Sequence, residues 1–170
     1  MWRLRLSLAA FASTGLAAGT LLAGPEQVAF PEGYRSDYIH YLDVDHYGRK
    51  SIRKMFVSPG AAARAEPGEE LPDGTVLIAE EVRAKVDADG NLVRDDEGRL
   101  IALDVIDTII VMQKNAAIST ENGNWDYAVF GADGKLTPGV DYKPCFECHE
   151  SRADRDFNFT YSKFLLDQNK

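Results

Sequence analysis

The sequence predicts an α+β fold that is mainly antiparallel β, a single β-rich domain with a few peripheral helices. The first observation is that apolar and β-branched residues are concentrated in runs of strand length, such as TVLIAEEV and DVIDTIIVM. The second is that turn sequences containing Asp-Gly, as in PDGT, DADGN and GADGK, separate these runs. Short turns of this kind join neighbouring antiparallel strands, and no internal repeat divides the chain.

The N-terminal segment 1–23 has the layout of a secretory signal peptide. Two arginines in the first five residues precede the uncharged apolar run Leu6–Ala23, after which Gly24-Pro25-Glu26 turns the chain polar. An uncleaved membrane anchor is the alternative, because the run is near the lower length limit of a membrane span. Either way we expect a periplasmic or otherwise extracytoplasmic protein, in a compartment where free cysteines usually pair.

The remaining segment 24–170 is long enough for one domain with its own core, at about 147 residues. Without Arg3 and Arg5 it has 17 basic against 27 acidic side chains, a net charge of about −10. Such a charge disfavours binding to nucleic acids and to anionic membranes. It identifies no particular partner.

The first half of this domain contains four predicted elements after a turn-rich entry. Segment 36–42 is expected to form a helix or an extended segment, and Ile52–Val57 alternates as a strand does. A short helix over Pro59–Ala65 is predicted by Ser58 as N-cap with proline at the first helical position. The turn Pro72-Asp73-Gly74 then leads into the β-branched run 75–86.

The second half begins with a polar hairpin, since 87–100 contains two turns in which aspartate precedes glycine, Asp89-Gly90 and Asp96-Glu97-Gly98. This acidic loop superficially resembles a calcium loop, but Gly98 stands where the bidentate glutamate would be. Segment 101–115 is the strongest strand, and Trp125–Phe130 is a further strand closed by a turn at Asp133-Gly134. A terminal helix is expected over Ala153–Lys170.

The only two cysteines of the chain lie in the sequence CFECH, in which Cys145, Cys148 and His149 have the C-x-x-C-H spacing of c-type haem attachment. In such a site each thiol adds to one haem vinyl group, and the histidine is the proximal iron ligand. The motif therefore predicts one haem c per chain, with His149 as the residue that binds the metal.

Three other uses of these residues remain open. A structural zinc site needs four ligands, and the motif supplies three. A redox-active C-x-x-C usually lies at a helix N-terminus within a βαβ unit, whereas this one follows a β-rich segment. A plain disulfide would account for both cysteines but not for the adjacent histidine.

Four segments, in this order, resemble the cytochrome P-460 family: FPEGYR, LPDGTVLIAEE, NWDYAVFGADGK and CFECHESRADRDFNFT. The resemblance runs from Phe30 to about Leu165 and extends to cytochrome c′-beta, which shares the fold. It implies a β-rich domain, usually a homodimer, that holds one c-type haem between the sheet and a helix. It also implies a five-coordinate iron with His149 on the proximal side and an open distal side.

The resemblance implies one of two activities. Cytochromes P-460 oxidise hydroxylamine and carry a bond from a lysine to the haem macrocycle, whereas cytochromes c′-beta lack this bond and bind nitric oxide or carbon monoxide in an apolar pocket. In the aligned segment Thr75–Glu80, Ala79 stands in the place of that lysine, and a methyl group cannot form the bond. We therefore expect a haem protein that binds nitric oxide or a similar small ligand, carries electrons, or does both. Hydroxylamine oxidation is the alternative.

The distal side is predicted from strand alternation. Leu77, Ala79 and Glu81 share one face of their strand, so Leu77 and Ala79 are expected to contact the haem together. Met55 and Phe56 have opposite faces, so only one of them can join this surface, and Phe56 is the candidate for an aromatic cap over the iron.

Several other residues are weaker candidates, and ordinary packing or solvent exposure explains each of them equally well or better. The weaker candidates are Met55, Met112, His40 and His46 as further iron ligands, Glu80 and Glu81 as proton acceptors, and Lys143, Arg152 and Arg155 as partners of the haem propionates.

The partners expected for this site are a small gaseous or nitrogenous ligand and a redox partner protein.

Overall fold

Five antiparallel strands form one sheet in the order β1-β2-β3-β4-β5, so each strand pairs with its neighbour in sequence. The computed structural model describes residues 25–117 and 122–170. The expected signal peptide over 1–23 lies outside the described residues. The strands are β1 (Ile39–His46), β2 (Ser51–Val57), β3 (Val76–Ala84), β4 (Ala102–Lys114) and β5 (Trp125–Phe130).

Four short helices accompany the sheet, which confirms the predicted β-rich α+β fold. Within the described ranges, no helix is long and apolar enough to cross a membrane. The helices are α1 (Tyr34–Asp37), α2 (Pro59–Ala62), α3 (Lys143–Glu150) and α4 (Tyr161–Gln168), and single 3₁₀ turns occur at Pro25–Gln27, Tyr47–Arg49 and Ala153–Arg155.

The start of α2 agrees with the prediction, but its length and its cap differ. Ser58 is the extended N-cap residue and Pro59 opens the helix, which ends at Ala62 rather than at Ala65. The Ser58 hydroxyl does not cap this helix; it accepts a hydrogen bond from the Val76 N–H at 3.2 Å. Ser58 therefore links α2 to the first residue of β3.

The prediction of one terminal helix over Ala153–Lys170 is wrong. The 3₁₀ turn at Ala153–Arg155 is followed by Asp156 and Phe157 in the left-handed region, at φ 50° and 57°, and α4 begins only at Tyr161. Two successive left-handed residues cannot continue a right-handed helix. By contrast, α3 was not predicted, although Pro144 in its first turn is a typical helix-start signal.

The predicted polar hairpin between β3 and β4 is present. Single bridges pair Val86 with Leu92 and Arg94 with Leu100. At each tip an aspartate carboxylate accepts backbone N–H groups two and four residues ahead, which is the usual role of aspartate in such turns.

Each face of the sheet buries its own apolar core, as expected when alternate side chains point to opposite faces. On one face Phe56 and Ile78 pack against the N-terminal layer, the segment before β1 that contains Val28, Phe30 and Tyr34. On the other face Leu77 and Met112 pack beneath α2, α3 and α4. The first core consists of Val28, Tyr34, Phe56, Ile78, Ile109, Val111, Ala128 and Phe130, and the second of Val57, Ala61, Leu71, Leu77, Met112, Trp125, Tyr127 and Tyr161.

The N-terminal layer is fixed to the sheet by a buried carboxylate. Glu80 on β3 is 1% exposed and accepts hydrogen bonds through one oxygen from the Tyr34 hydroxyl and, at 2.6 Å, from the Arg35 Nε. Burial and the adjacent Glu80 raise the pKa of Tyr34 well above its usual value, so its hydroxyl stays protonated and remains a donor. This cluster lies on the face of the sheet away from α3 and α4.

Candidate functional site

Helix α3 presents the cysteine motif on one face. Cys145 and Cys148 are three residues apart and His149 is four residues after Cys145, which are the spacings of neighbouring side chains on a helix. Both cysteines are free thiols. Cys145 is half-buried against the second core, and burial raises the pKa of its thiol, whereas Cys148 is exposed.

His149 is held in a defined orientation between two aromatic rings. Its ring centroid lies 5.1 Å from that of Tyr127 and 5.0 Å from that of Phe159. Its Nδ1 is 2.6 Å from the Phe157 carbonyl oxygen, so Nδ1–H donates to the carbonyl and Nε2 keeps its lone pair. Burial lowers the pKa of His149, which favours the neutral imidazole that binds metals.

A cavity of about 350 Å³ lies beside His149, between the sheet and the segment that joins α3 to α4. This volume is within the range of small-molecule and cofactor pockets. The lining is apolar along the sheet and polar at one end. The lining residues are Val44, His46, Arg53, Met55, Leu77, Ile78, Ala79, Ile110, Met112, His149, Asn158, Phe159 and Thr160.

Strand register explains which side chains share this cavity. Met55 on β2 pairs with Ala79 on β3, and Ala79 pairs with Ile110 on β4. Leu77 pairs with Met112 one step along the same face. Paired residues in an antiparallel sheet point to the same side, so this row forms the floor of the cavity.

The structure brings Leu77 and Ala79 together with His149, as predicted from alternation, but it does not bring Phe56. Phe56 pairs with Ile78 on the opposite face, where its ring packs against Tyr34 at a centroid distance of 5.3 Å. Because neighbouring residues in a strand alternate, the adjacent Met55 faces the cavity instead. Phe56 therefore does not line the cavity in which an aromatic cap was expected.

The polar end of the cavity is a cluster around Glu81. Its carboxylate accepts hydrogen bonds from the Ser51 hydroxyl and from the Arg53 Nε at 2.6 Å, and lies 3.4 Å from the His46 Nδ1. Burial alone would raise the pKa of Glu81, but the hydrogen bonds from Ser51 and Arg53 outweigh it, so the pKa is lowered. Glu81 is therefore held as an anion between two cavity-lining residues, His46 and Arg53.

The family is identified by comparison with known proteins. The family model for cytochrome P-460 matches residues 31–160, about three quarters of the chain. The chain belongs to the cytochrome P-460 family. It is therefore a haem-binding cytochrome, and the resemblance seen in the sequence is confirmed. No curated protein matches this chain.

The residues of this cytochrome fit a haem on two observations. His149 has its Nδ1 occupied by a main-chain carbonyl, which leaves Nε2 as the nitrogen able to bind iron. A largely apolar cavity lies directly beside this histidine, and both cysteines are on the same helix. Across the described residues, no three His, Cys, Asp or Glu side chains converge on a common metal position, as a zinc site would require.

Several weaker candidates lie away from the cavity. Glu80 and His40 line a separate depression on the opposite face of the sheet, together with Lys54 of β2. There the His40 Nε2 is 2.7 Å from Asp43, and the Lys54 Nζ is 3.8 Å from the same carboxylate. Neither Glu80 nor Lys54 shares a face with Ala79, so neither side chain reaches the cavity.

The basic residues around the motif have different surroundings. The Arg152 guanidinium lies over the Phe159 ring at 5.1 Å, beside the cavity. Arg155 pairs with Asp154 at 3.4 Å, and Lys143 pairs with Glu147 at 3.5 Å within α3. Arg152 thus contacts a cavity-lining residue through its side chain, whereas Arg155 contacts one, Asn158, through its main-chain carbonyl.

Sequence reasoning gave His46 only as a weaker candidate for an iron ligand and did not single out Arg53. Both line the cavity because β1 extends to His46 and pairs with β2 such that Val44 is opposite Arg53 and His46 opposite Ser51. The period-two pattern that placed Ala79 contains the necessary signal, since Arg53 and Met55 are two residues apart. It could be used only once the pairing of β2 with β3 was known.

We predict that Glu81 contributes to the dependence of stability on pH. Its pKa is lowered below the ordinary value of about 4.5 in the folded chain, so its ionised form stabilises the fold above that pH. This contribution is lost as the pH falls through the lowered folded-state pKa. In Glu81→Gln, the melting temperature should therefore fall less steeply than in the wild type from about pH 5 to about pH 3.

The matched control is Glu97→Gln, which removes an exposed glutamate of the hairpin and leaves Ser51, His46 and Arg53 unchanged. It should keep the wild-type slope. Equal slopes for Glu81→Gln and the wild type would contradict the assignment of Glu81 as an anion stabilised by these hydrogen bonds.

Proposed function

We infer that this cytochrome is an exported c-type mono-haem protein that binds nitric oxide or a similar small ligand at an open distal site, carries electrons, or does both. In this proposal Cys145 and Cys148 hold the haem covalently and His149 is the proximal ligand. The observation that carries the proposal is the position of Ala79, whose methyl group lines the cavity beside His149. The family enzymes that oxidise hydroxylamine have their cross-linking lysine at the aligned position.

The haem iron, when bound, supplies the ligand-binding and redox chemistry. The chain contributes the attachment of the haem, the orientation of its axial histidine and the cations near its carboxylates. Helix α3 holds the two thiols on the same face as His149, and the Phe157 carbonyl orients the imidazole so that Nε2 is available. Arg53 and Arg152 lie at or beside the cavity and are the cations best placed to pair with the haem carboxylates.

The cavity wall favours a small neutral ligand. Val44, Met55, Leu77, Ala79 and Ile110 present only apolar side chains to it. A polar molecule that leaves a hydroxyl or amine unpaired against such a wall loses about 1–3 kcal/mol. Nitric oxide and similar diatomic molecules do not incur this cost.

No lysine is found among the described residues that line the cavity. Lys54, on the neighbouring strand β2, pairs with Glu80 in the β2-β3 register and lies on the other face of the sheet. This arrangement supports a haem joined to the protein by thioether bonds alone. Its electronic properties would then be set by the axial ligand, hydrogen bonding and burial.

Hydroxylamine oxidation is the second candidate, and the cluster at the polar end of the cavity is the observation that favours it. His46 and Arg53 could contact a polar substrate, and Glu81 lies directly behind them. However, the lowered pKa of Glu81 makes it a weak base. We therefore rank this activity below ligand binding.

The setting of the protein is part of the proposal. Segment 1–23 is taken as a cleaved signal peptide and 24–170 as the haem domain, working in the periplasm or another extracytoplasmic compartment with a redox partner protein. A homodimer is supported by the edge strand β1, where Ile39 and Leu42 are 46% and 36% exposed.

We predict that replacing both cysteines, Cys145→Ala with Cys148→Ala, abolishes covalent haem. The haem vinyl groups would then have no thiol to react with, so peroxidase staining of the band on a denaturing gel should disappear. Each single variant is the control, because one thioether remains and staining should persist. Staining of the double variant at the wild-type level would rule out attachment through this motif.

We also predict that no bond other than the thioethers joins the protein to its haem. The intact mass should equal the chain plus haem, without the loss of two hydrogens that a bond from a lysine nitrogen requires. The ferrous protein should bind nitric oxide, and hydroxylamine should not drive steady reduction of an artificial electron acceptor.

The matched control for this prediction is Lys54→Gln, which should have the same ligand binding and the same haem mass increment as the wild type. A wild-type mass two hydrogens short, together with sustained hydroxylamine-dependent reduction, would favour the enzyme instead. If the Lys54→Gln variant restored those two hydrogens, Lys54 would be the residue that forms the bond.

A further inference from the structure

We propose that the buried ion pair between Lys114 and Asp156 is a positioning device for the axial histidine and sets the reduction potential of the iron through the Phe157 carbonyl. This inference rests on the proposed role of His149 as the proximal ligand. Neither Lys114 nor Asp156 lines the cavity. Both act on the main-chain segment that accepts the His149 Nδ1–H.

The pair is buried and bidentate. The Lys114 Nζ, at the end of β4, lies 2.7 and 2.8 Å from the two carboxylate oxygens of Asp156. Lys114 is 5% exposed and Asp156 7% exposed. A buried ion pair is weak evidence for stability in itself, which makes a role in fixing a local conformation the better explanation.

Asp156 is fixed through its main chain as well as its side chain. The Leu71 N–H donates to the carboxylate at 2.8 Å, and the Trp125 Nε1–H donates to the Asp156 carbonyl at 2.9 Å. Leu71, Trp125 and Lys114 come from three different parts of the chain. The backbone of Asp156 is thus attached to the rigid sheet from several directions.

This attachment holds Asp156 and Phe157 in the left-handed conformation, at φ 50° and 57°. Such a conformation is uncommon for residues other than glycine and persists where the surroundings impose it. It directs the Phe157 carbonyl to the His149 Nδ1 at 2.6 Å. Gly123 leaves room for the Phe157 ring, because a Cβ at this position would overlap that ring.

The hydrogen bond from Nδ1 controls how strongly Nε2 donates electrons. A carbonyl that accepts the Nδ1–H raises the basicity of the imidazole, and a more basic axial ligand stabilises ferric iron and lowers the reduction potential. A weaker hydrogen bond from the His149 Nδ1–H to the Phe157 carbonyl should therefore weaken the bond between iron and histidine and raise the reduction potential. The ion pair would influence the iron without touching the haem or its distal ligand.

The test is Asp156→Asn in the haem-loaded protein. Asparagine tolerates the left-handed region as well as aspartate does, so the change removes the charge while keeping the size and backbone preference. We expect the iron–histidine stretching frequency, measured by resonance Raman spectroscopy of the ferrous protein, to fall. The midpoint potential should shift to a more positive value.

Two further variants act on the same carbonyl by other routes. Lys114→Met removes the other partner of the pair, and Gly123→Ala displaces the Phe157 ring. Both should shift the frequency and the potential in the same direction as Asp156→Asn. They also keep the inference testable if one variant fails to fold.

The matched control is Glu80→Gln, another carboxylate-to-amide change at a buried, hydrogen-bonded position. It lies on the opposite face of the sheet, so it should lower the melting temperature without moving either the frequency or the potential. The inference is overturned if Asp156→Asn and Gly123→Ala leave both quantities unchanged, or if Glu80→Gln shifts them equally. A wild-type protein without covalent haem, or without an iron–histidine band, would instead refute the proposed function.

Discussion

The register of β2, β3 and β4 is the constraint on which the rest of the structure depends. Because side chains alternate along a strand, a slip of one residue would exchange the two faces of the sheet. Ala79 and Met55 would then face the N-terminal layer, and Glu80 and Phe56 would face His149. Burial of a separate apolar core on each face makes such a slip costly. The composition of the cavity therefore follows from the pairing of Met55 with Ala79 and of Ala79 with Ile110.

Three of the buried carboxylates among the described residues complete this arrangement, and each of these three has its own cationic partner. Glu80 binds Arg35 and fixes the N-terminal layer, Glu81 binds Arg53 at the polar end of the cavity, and Asp156 binds Lys114 beneath the segment that orients His149. A buried charge is tolerated only where it is paired and hydrogen-bonded. The ion pair of Glu80 thus stabilises the fold, and the ion pairs of Glu81 and Asp156 also shape the surroundings of the proposed haem site.

Most of the fold could be predicted from the sequence, because strand signals are local. The alternating or β-branched runs became β2, β3, β4 and β5, and the cysteine motif pointed to haem without any structural information. The face of a strand, in contrast, depends on pairing. Two candidates of opposite face, Met55 and Phe56, could not be separated until β2 was aligned with β3.

The C-terminal segment was harder to predict for a different reason. Asp156 and Phe157 adopt the left-handed conformation because Lys114, Leu71 and Trp125 hold Asp156 in place, and these residues are distant in sequence. Local propensity therefore favoured one continuous helix where the structure has a break. The hydrogen bond to His149 depends on this break.

In the proposed function, His149 is the only protein ligand of the iron among the described residues, and the cavity leaves the opposite side of the iron open. Met55 and Met112 both line that cavity and carry sulfur atoms able to bind iron. The most direct measurement is the spin and coordination state of the ferrous protein, followed by magnetic circular dichroism in the wild type and in Met55→Leu and Met112→Leu. We expect five-coordinate, high-spin iron in all three proteins. A six-coordinate, low-spin wild type that becomes five-coordinate in either variant would contradict the claim.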